Sequence, residues 1–241
     1  METGIYVALS GQIAAQQRLD TIAHNVANAT TPGFRAEEVT FSTVVSDKGR
    51  SPVEFSSSGE HYISRQSGPM VGTGNPLDVA VAGNAWFALE TPNGLAYTKD
   101  GRLSISSEGQ VQSVGGYTVV DRGGAPIVIN PKGGPITIAA DGIINQDGIQ
   151  RGAIGLFSIS DDAKLTRMDG SSLRSDVPGD PIVDFNSVTV RQGFVEQSNV
   201  NAFLELTQMI DLTRNFDAVS TSLEKSEKSL KDAIRTLGGG A

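Results

Sequence analysis

The chain is 241 residues long, with a formal charge of −8 and a pI near 4.8. Nucleic-acid affinity rests on Lys and Arg neutralising phosphates, so an acidic chain without a dense basic cluster excludes that partner, and the same deficit disfavours an anionic membrane surface. Cysteine is absent, which removes disulfides and thiolate metal sites, and there is no apolar run of about 18 residues to span a bilayer.

The first 30 residues read as one helix. Ile5, Ala8, Gln12, Ala15, Leu19, Ile22, Val26 and Ala29 recur at alternating spacings of three and four, a heptad stripe. Thr3 is the expected N-cap, and Pro32 the expected stop, because the residue before a proline avoids the α region. Residues 36–75 follow neither a helical nor a strand period. Containing Ser, Gly and Pro, they read as an extended linker segment.

From 76 to 197 the pattern changes to short Val- and Ile-rich runs such as Leu77–Val81, Trp86–Ala88, Gly116–Val120, Ile136–Ile138 and Ile154–Phe157. Asn93-Gly94, Asp100-Gly101, Asp141-Gly142, Asp147-Gly148 and Asp169-Gly170 punctuate them, supplying the positive-φ positions of tight hairpins. This predicts a central antiparallel β-domain. Residues 198–241 carry a second heptad stripe, Leu206, Met209, Thr213, Phe216, Ser220, Leu223, Glu227, Leu230, Ile234 and Leu237. Ser198 or Asn199 is the expected cap, and Gly238-Gly239-Gly240 the stop.

The predicted fold class is α+β: N- and C-terminal coiled-coil-like helices (1–35 and 198–241) flanking an all-β domain. A compact monomer has no obvious place for two such stripes. Ile5, Ala8, Gln12, Ala15, Leu19, Ile22, Val26, Leu206, Met209, Phe216, Leu223, Leu230 and Ile234 are therefore expected to form an assembly interface, each large apolar side chain contributing about 1.5–3 kcal/mol when buried. Gln12, Thr213, Ser220 and Glu227 are polar positions in these seams, of the kind that fixes register. The competing arrangement closes the two helices on each other within one chain, leaving Leu9, Ile13, Leu204 and Ile210 near water.

No catalytic, cofactor-binding or metal-ligating residues emerge. The histidines, His24 and His61, stand 37 positions apart and read as surface or interface residues, since zinc sites draw several Cys or His ligands. Gly72-Thr73-Gly74-Asn75-Pro76 lacks the third glycine of a dinucleotide loop and the Lys-Ser/Thr of a P-loop, and reads as a turn. Asp141, Asn145, Asp147 and Gly148 miss calcium-loop spacing, with Ile143 at the first position and Ile154 at the twelfth. No G-x-S-x-G elbow surrounds a serine, the acid pairs Glu37-Glu38 and Asp161-Asp162 read as solvated surface, and Asn28-Ala29-Thr30 is a chance glycosylation sequon. The N-terminus lacks a positive n-region, so the plain reading is a cytoplasmic protein and the sharper one export without a cleaved signal.

Two distant motifs then agree. Asn25-Val26-Ala27-Asn28-Ala29-Thr30-Thr31-Pro32-Gly33-Phe34-Arg35 closes the first helix, and Ser198-Asn199-Val200-Asn201 opens the second. Together they resemble the signatures of the bacterial flagellar rod and hook family. Leu77-Asp78-Val79-Ala80-Val81, Gly83 with Trp86-Phe87, and Tyr97-Thr98-Lys99-Asp100-Gly101 are similar to that family's β-domain. Length and wording lie nearer its proximal rod members than its distal rod members or the larger hook protein. The resemblance marks Asn25, Asn28, Thr31, Pro32, Gly33, Phe34, Ser198, Asn199, Val200 and Asn201 as family positions. It implies a structural, non-enzymatic axial subunit of the periplasmic rod that transmits torque, needs no cofactor, and is exported unfolded through the flagellar apparatus. Its implied partners are other rod subunits and copies of itself. Another axial subunit of that family, or a ligand-binding β-domain, are the alternative readings.

Overall fold

The computed structural model describes residues 2–46 and 53–238. Helix α1 (Glu2–Ala27) is followed by short strands between Glu37 and Glu196 and then by helix α2 (Ala202–Gly238), so the architecture is α+β as the patterning predicts. The chain divides into a helical unit, Met1–Ala27, Glu37–His61 and Asn201–Ala241, and a β unit, Asn28–Ala36 with Tyr62–Val200. These boundaries differ from those drawn on the sequence. The segment after α1 belongs with the β strands, and part of the expected linker belongs with the helices.

α1 stops at Ala27, short of residue 30, because Asn28–Phe34 turns on its own hydrogen bonds: Thr31 N donates to Asn28 O at 3.1 Å and Phe34 N to Thr31 O at 3.2 Å. Thr3 lies inside the helix, which starts at Glu2, not at its cap. The cap of α2 is Asn201, whose Oδ1 accepts from Leu204 N at 3.2 Å, in place of Ser198 or Asn199. Glu205 in the first turn complements the helix dipole.

Within the helical unit α1 and α2 run antiparallel, side by side. Gln12 Nε2 donates to Ser220 Oγ at 2.8 Å, and Asn25 Nδ2 reaches Glu205 Oε1 at 3.4 Å. Residues expected as a linker form strand pairs here: Thr43–Ser46 with Val53–Ser56, and Glu37–Thr40 with Glu60–Ile63, the last strand running on into the β unit. Ser56 N donates to Ser10 Oγ at 3.3 Å, setting the first pair against α1. Four-residue strands offer two alternations at most, too few to stand out among serines and glycines.

The β unit centres on an antiparallel sheet. Its strands lie in the order Leu165–Asp169, Ser172–Ser175, Gly94–Thr98, Trp86–Thr91, Thr118–Val119, Val111–Ser113, Leu103–Ile105. Side chains alternate across a strand. Phe87 and Leu89 therefore enter one core cluster with Val79, Val111, Ile144 and Leu156, whereas Trp86 and Ala88 enter another with Tyr97, Phe157 and Leu173. A sheet buried on both faces reads as a continuous apolar run, which is what Trp86–Leu89 shows. A separate three-stranded sheet, Ile136–Ile138, Ile143–Gln146 and Ile149–Ala153, turns at Asp147-Gly148 with φ of 54° and 75°, the pair of left-handed positions a tight hairpin requires. Asp100-Gly101, expected as a hairpin turn, instead passes beside Val79–Ala82, where Val79 N donates to Gly101 O at 2.9 Å.

Candidate functional site

The motif residues assemble two devices, one in each unit. In the helical unit the seam is lined by Ala8, Gln12, Ala15, Leu212 and Phe216, with Leu19, Val26, Met209 and Leu223 half-buried and Ile22 buried. Leu206 and Thr213, on the predicted stripe, are exposed, and Leu212 lines the seam instead. A straight helix has 3.6 residues per turn, so a stripe of period 3.5 drifts by about 20° per heptad off any one face. The polar pair Gln12 and Ser220 bonds across the chain's own helices and fixes their antiparallel register. Ile5, Leu230 and Ile234, with Glu227 and Leu237, have side chains outside those described.

Pairing leaves much apolar surface uncovered. Tyr6, Leu9 and Ile13 form one exposed patch on α1 at relative exposures of 62%, 47% and 50%. Phe203 at 82%, Leu206 at 45% and Ile210 at 52% form another on α2, spaced three and four apart, with Leu204 beside them. Between the helices Ala8, Gly11 and Ala15 are too small to fill the space opposite Leu212, Phe216 and Val219, and an open apolar groove of about 270 Å³ remains.

Asn25 explains its place in the motif by substituting for a strand. Its Nδ2 donates to Glu37 O at 2.8 Å and its Oδ1 accepts from Glu37 N at 2.9 Å, so a buried side chain at the end of α1 satisfies both backbone groups of the first strand residue. Glu205 lies beside it, and burial pushes that carboxyl above its ordinary range despite the Asn25 hydrogen bond. His24 and His61, apart in sequence, meet at one carboxylate: His61 Nδ1 lies 3.0 Å from Glu37 Oε1, and His24 Nδ1 lies 3.7 Å from Glu37 Oε2.

In the β unit the segments 33–36, 64–69 and 196–199 are stitched into a knot. Gly33 N donates to Glu196 O at 2.8 Å, Asn199 N to Phe34 O at 3.3 Å, and Gln197 N to Pro69 O at 2.9 Å. Asn199 extends the stitching through its side chain: Oδ1 accepts from Ala36 N at 2.7 Å, while Nδ2 donates to Gln66 O at 2.9 Å and Ser64 Oγ at 3.2 Å. Ser198 Oγ accepts from Val200 N at 3.2 Å, turning the chain toward α2. Gly33 has φ +70°, and a Cβ there would stand inside the contact radius of Asp100 N, so no other residue fits without moving backbone. Phe34 is fully buried beneath the Arg167 guanidinium, 4.0 Å from its ring centroid, and Arg167 also donates to Arg35 O at 2.5 Å.

At the centre Arg35 and Glu196, each 1% exposed, pair at 2.7 Å. Arg35 also donates to Gln66 O, and Glu196 Oε1 accepts from Gly68 N at 2.9 Å. Lys99 Nζ lies 3.8 Å from Glu196 Oε2 and donates to Gly83 O at 3.1 Å. Arg35 and Lys99 both lie over Trp86, 5.5 and 5.3 Å from its ring centroid. Burial pulls the Arg35 guanidinium below its ordinary range against the opposing pull of Glu196. The motif reading pointed at Gly33, Phe34 and Asn199. Glu196 lies outside both motifs, and neither motif assigns a role to Arg35 or Lys99. An acid two residues ahead of the second motif and an arginine closing the first were the only signals for the pairing.

The turn acids serve the backbone: Asp141 Oδ1 accepts from Ile143 N at 3.1 Å and Asp147 Oδ2 from Gly134 N at 3.0 Å. Among the described residues no helix is long and apolar enough to cross a membrane.

A helical pair drawn from both chain ends, with apolar surface still uncovered, and a β unit stitched by the motif residues, define the class: an axial structural protein. Comparison with known proteins gives the same answer across the chain. Residues 5–35 match the family model described as Flagella basal body rod protein, residues 80–146 the Flagellar hook protein FlgE/F/G D1 domain, and residues 191–236 the Flagellar basal body rod FlgEFG protein C-terminal. The sequence is 45% identical to the flagellar basal-body rod protein FlgF of Rhizobium meliloti (strain 1021) and 43% to that of Mesorhizobium japonicum, over 99% of each chain in both cases. It is 31% identical to FlgF of Escherichia coli (strain K12), over 90% of this chain and 91% of that one. The chain belongs to the flagellar basal-body rod protein family, in its FlgF branch.

Proposed function

We propose that the chain is a structural, non-enzymatic subunit of the proximal flagellar rod, completing its helical unit only against neighbouring subunits. The observation that carries this reading is the exposed apolar surface of the helical pair, the patches at Tyr6, Leu9 and Ile13 and at Phe203, Leu206 and Ile210. Exposed contiguous apolar patches mark protein interaction sites. Covering what remains exposed of Phe203, Leu206 and Ile210 alone contributes on the order of 3–5 kcal/mol, at about 1.5–3 kcal/mol for a whole side chain. Because the helices run antiparallel, the two patches lie toward opposite ends of the pair. They are chemically alike but not the same surface, so one copy's patch meets a different patch on the next, a heterologous contact that extends instead of closing. The occupants are copies of this chain and other rod components. The export apparatus is the further partner.

Leu206→Asp tests this. Leu206 is exposed in the single chain, so the substitution leaves thermal unfolding followed by far-ultraviolet circular dichroism within about 1 kcal/mol of wild type. In an assembly it buries an unpaired charge. Cells carrying it are expected to be non-motile, with the protein missing from isolated basal bodies. Normal swimming with full incorporation would defeat the proposal.

A further inference from the structure

The knot at Glu196 is unbalanced in charge. Two cations, Arg35 and Lys99, surround one carboxylate, and all three side chains are 1–2% exposed. The other charged groups near the three segments are occupied elsewhere: Asp100 binds Arg102 at 2.6 and 2.9 Å, Asp78 accepts from Asn75 Nδ2 at 2.8 Å, and Arg167 is engaged with Phe34 and the Arg35 carbonyl. No second anion is therefore supplied to the centre by these groups. Arg35 has the better contact, 2.7 Å against 3.8 Å, and a guanidinium does not give up its proton in a protein. Lys99 is the cation that can.

We propose that the Arg35–Glu196–Lys99 cluster is a proton-sensitive latch on the segments 33–36 and 196–199: strained while Lys99 is charged, tight once it is neutral. Arg35 holds Glu196 Oε1 and Lys99 lies nearest Oε2, so neutral Lys99 leaves the Arg35–Glu196 pair matched one to one and removes the second positive charge beside Arg35. Burial, reinforced by the Arg35 charge and opposed by Glu196, brings the Lys99 ammonium down from its ordinary 10.5 to about 8, so the change falls in a pH range the folded protein can experience. The latch acts where the chain leaves α1 and where it leads into α2, since residues 28–36 follow the first helix and residues 196–200 precede the second. This concerns the β unit's own stitching and stands apart from the question of which subunits cover the helices.

Amide hydrogen exchange of the full chain reads the latch directly. Gly33 N donates to Glu196 O, Gln197 N to Pro69 O and Asn199 N to Phe34 O, so their protection factors, corrected for intrinsic rate, report its opening. With Lys99 titrating near 8 in the closed state and near 10.5 in the open one, opening becomes about tenfold rarer between pH 7 and pH 9. Wild type is expected to show that rise at the three amides. Lys99→Gln, which keeps a donor without a charge, is expected to be flat over the same range, as is Lys99→Met. Two variants guard against one failing to fold. A flat wild-type profile, or an equal rise in a folded Lys99 variant, overturns the proposal.

Discussion

Glu196→Gln is the sharpest probe of the β unit, because it removes one charge and almost no volume. Glu196 is 1% exposed, pairs with Arg35 at 2.7 Å and lies 3.8 Å from Lys99. Glutamine retains an oxygen for the Gly68 amide but leaves two buried cations without an anion. Breaking a buried pair by removing one partner costs about 3–5 kcal/mol, far more than an intact pair contributes over an apolar substitute. In a protein of this length each kcal/mol moves the melting temperature by about 2–4 °C, so the melting temperature is expected to fall by roughly 6–20 °C. The single tryptophan, Trp86, is buried beneath both cations, so its fluorescence follows this transition specifically, while far-ultraviolet circular dichroism follows the helices. Adding Lys99→Met to Glu196→Gln removes one orphaned cation, and part of the loss is expected to return, a non-additivity of at least about 1 kcal/mol in the cycle. A Glu196→Gln protein melting within 2 °C of wild type, a shift worth only about 1 kcal/mol or less, would mean the cations are solvated and the knot is ordinary surface.

The remaining expectations follow from the same contacts. Below about pH 8 both folded and unfolded chains hold the Lys99 proton and the burial penalty is whole; between about 8 and 10.5 only the unfolded chain holds it, so stability to urea climbs with pH, by up to about 3 kcal/mol, and the climb is absent in Lys99→Met. Gly33→Ala introduces a left-handed strain of about 1–2 kcal/mol and a backbone clash at Asp100, so a loss above roughly 3 kcal/mol is expected in urea unfolding. Asn25→Ala strips the Glu37 N–H and C=O of their partners and is expected to cost about 1–3 kcal/mol, with faster exchange of the Glu37 amide as the local sign.

The large periodicities were legible. Heptad stripes at both ends and Asx-Gly punctuation between them specify helix, β and helix, because each depends only on residues a few positions apart. What stayed hidden depends on residues well beyond one helical turn or one hairpin of each other. Glu196 is an unremarked acid until the fold sets it 2.7 Å from Arg35, and His24 and His61 look unrelated until both reach Glu37. The seam was legible in kind but not in register. Leu206 sits on a 3.5-residue stripe yet is exposed, and Leu212 takes the inner face, because the period of a real helix decides which side chains turn inward. The short strands at 37–46 and 53–63 were lost for another reason: their pairing is set by packing on α1 and by the Asn25 side chain, neither of which leaves a local pattern.

The two motifs therefore have different physical work. Asn25 and Asn201 are end devices of the helices: one completes the strand beside α1, and the other caps α2. Gly33, Phe34, Arg35 and Asn199 are core devices of the β unit, selected by space, burial and charge. None of them belongs to the apolar patches at Tyr6, Leu9 and Ile13 or at Phe203, Leu206 and Ile210. Substitutions in the motifs should accordingly unfold the isolated subunit, whereas substitutions in the patches should leave it folded and unincorporated. A patch variant such as Phe203→Asp whose helices melt, by far-ultraviolet circular dichroism, well below those of wild type would show that the separation between fold and assembly surface is false.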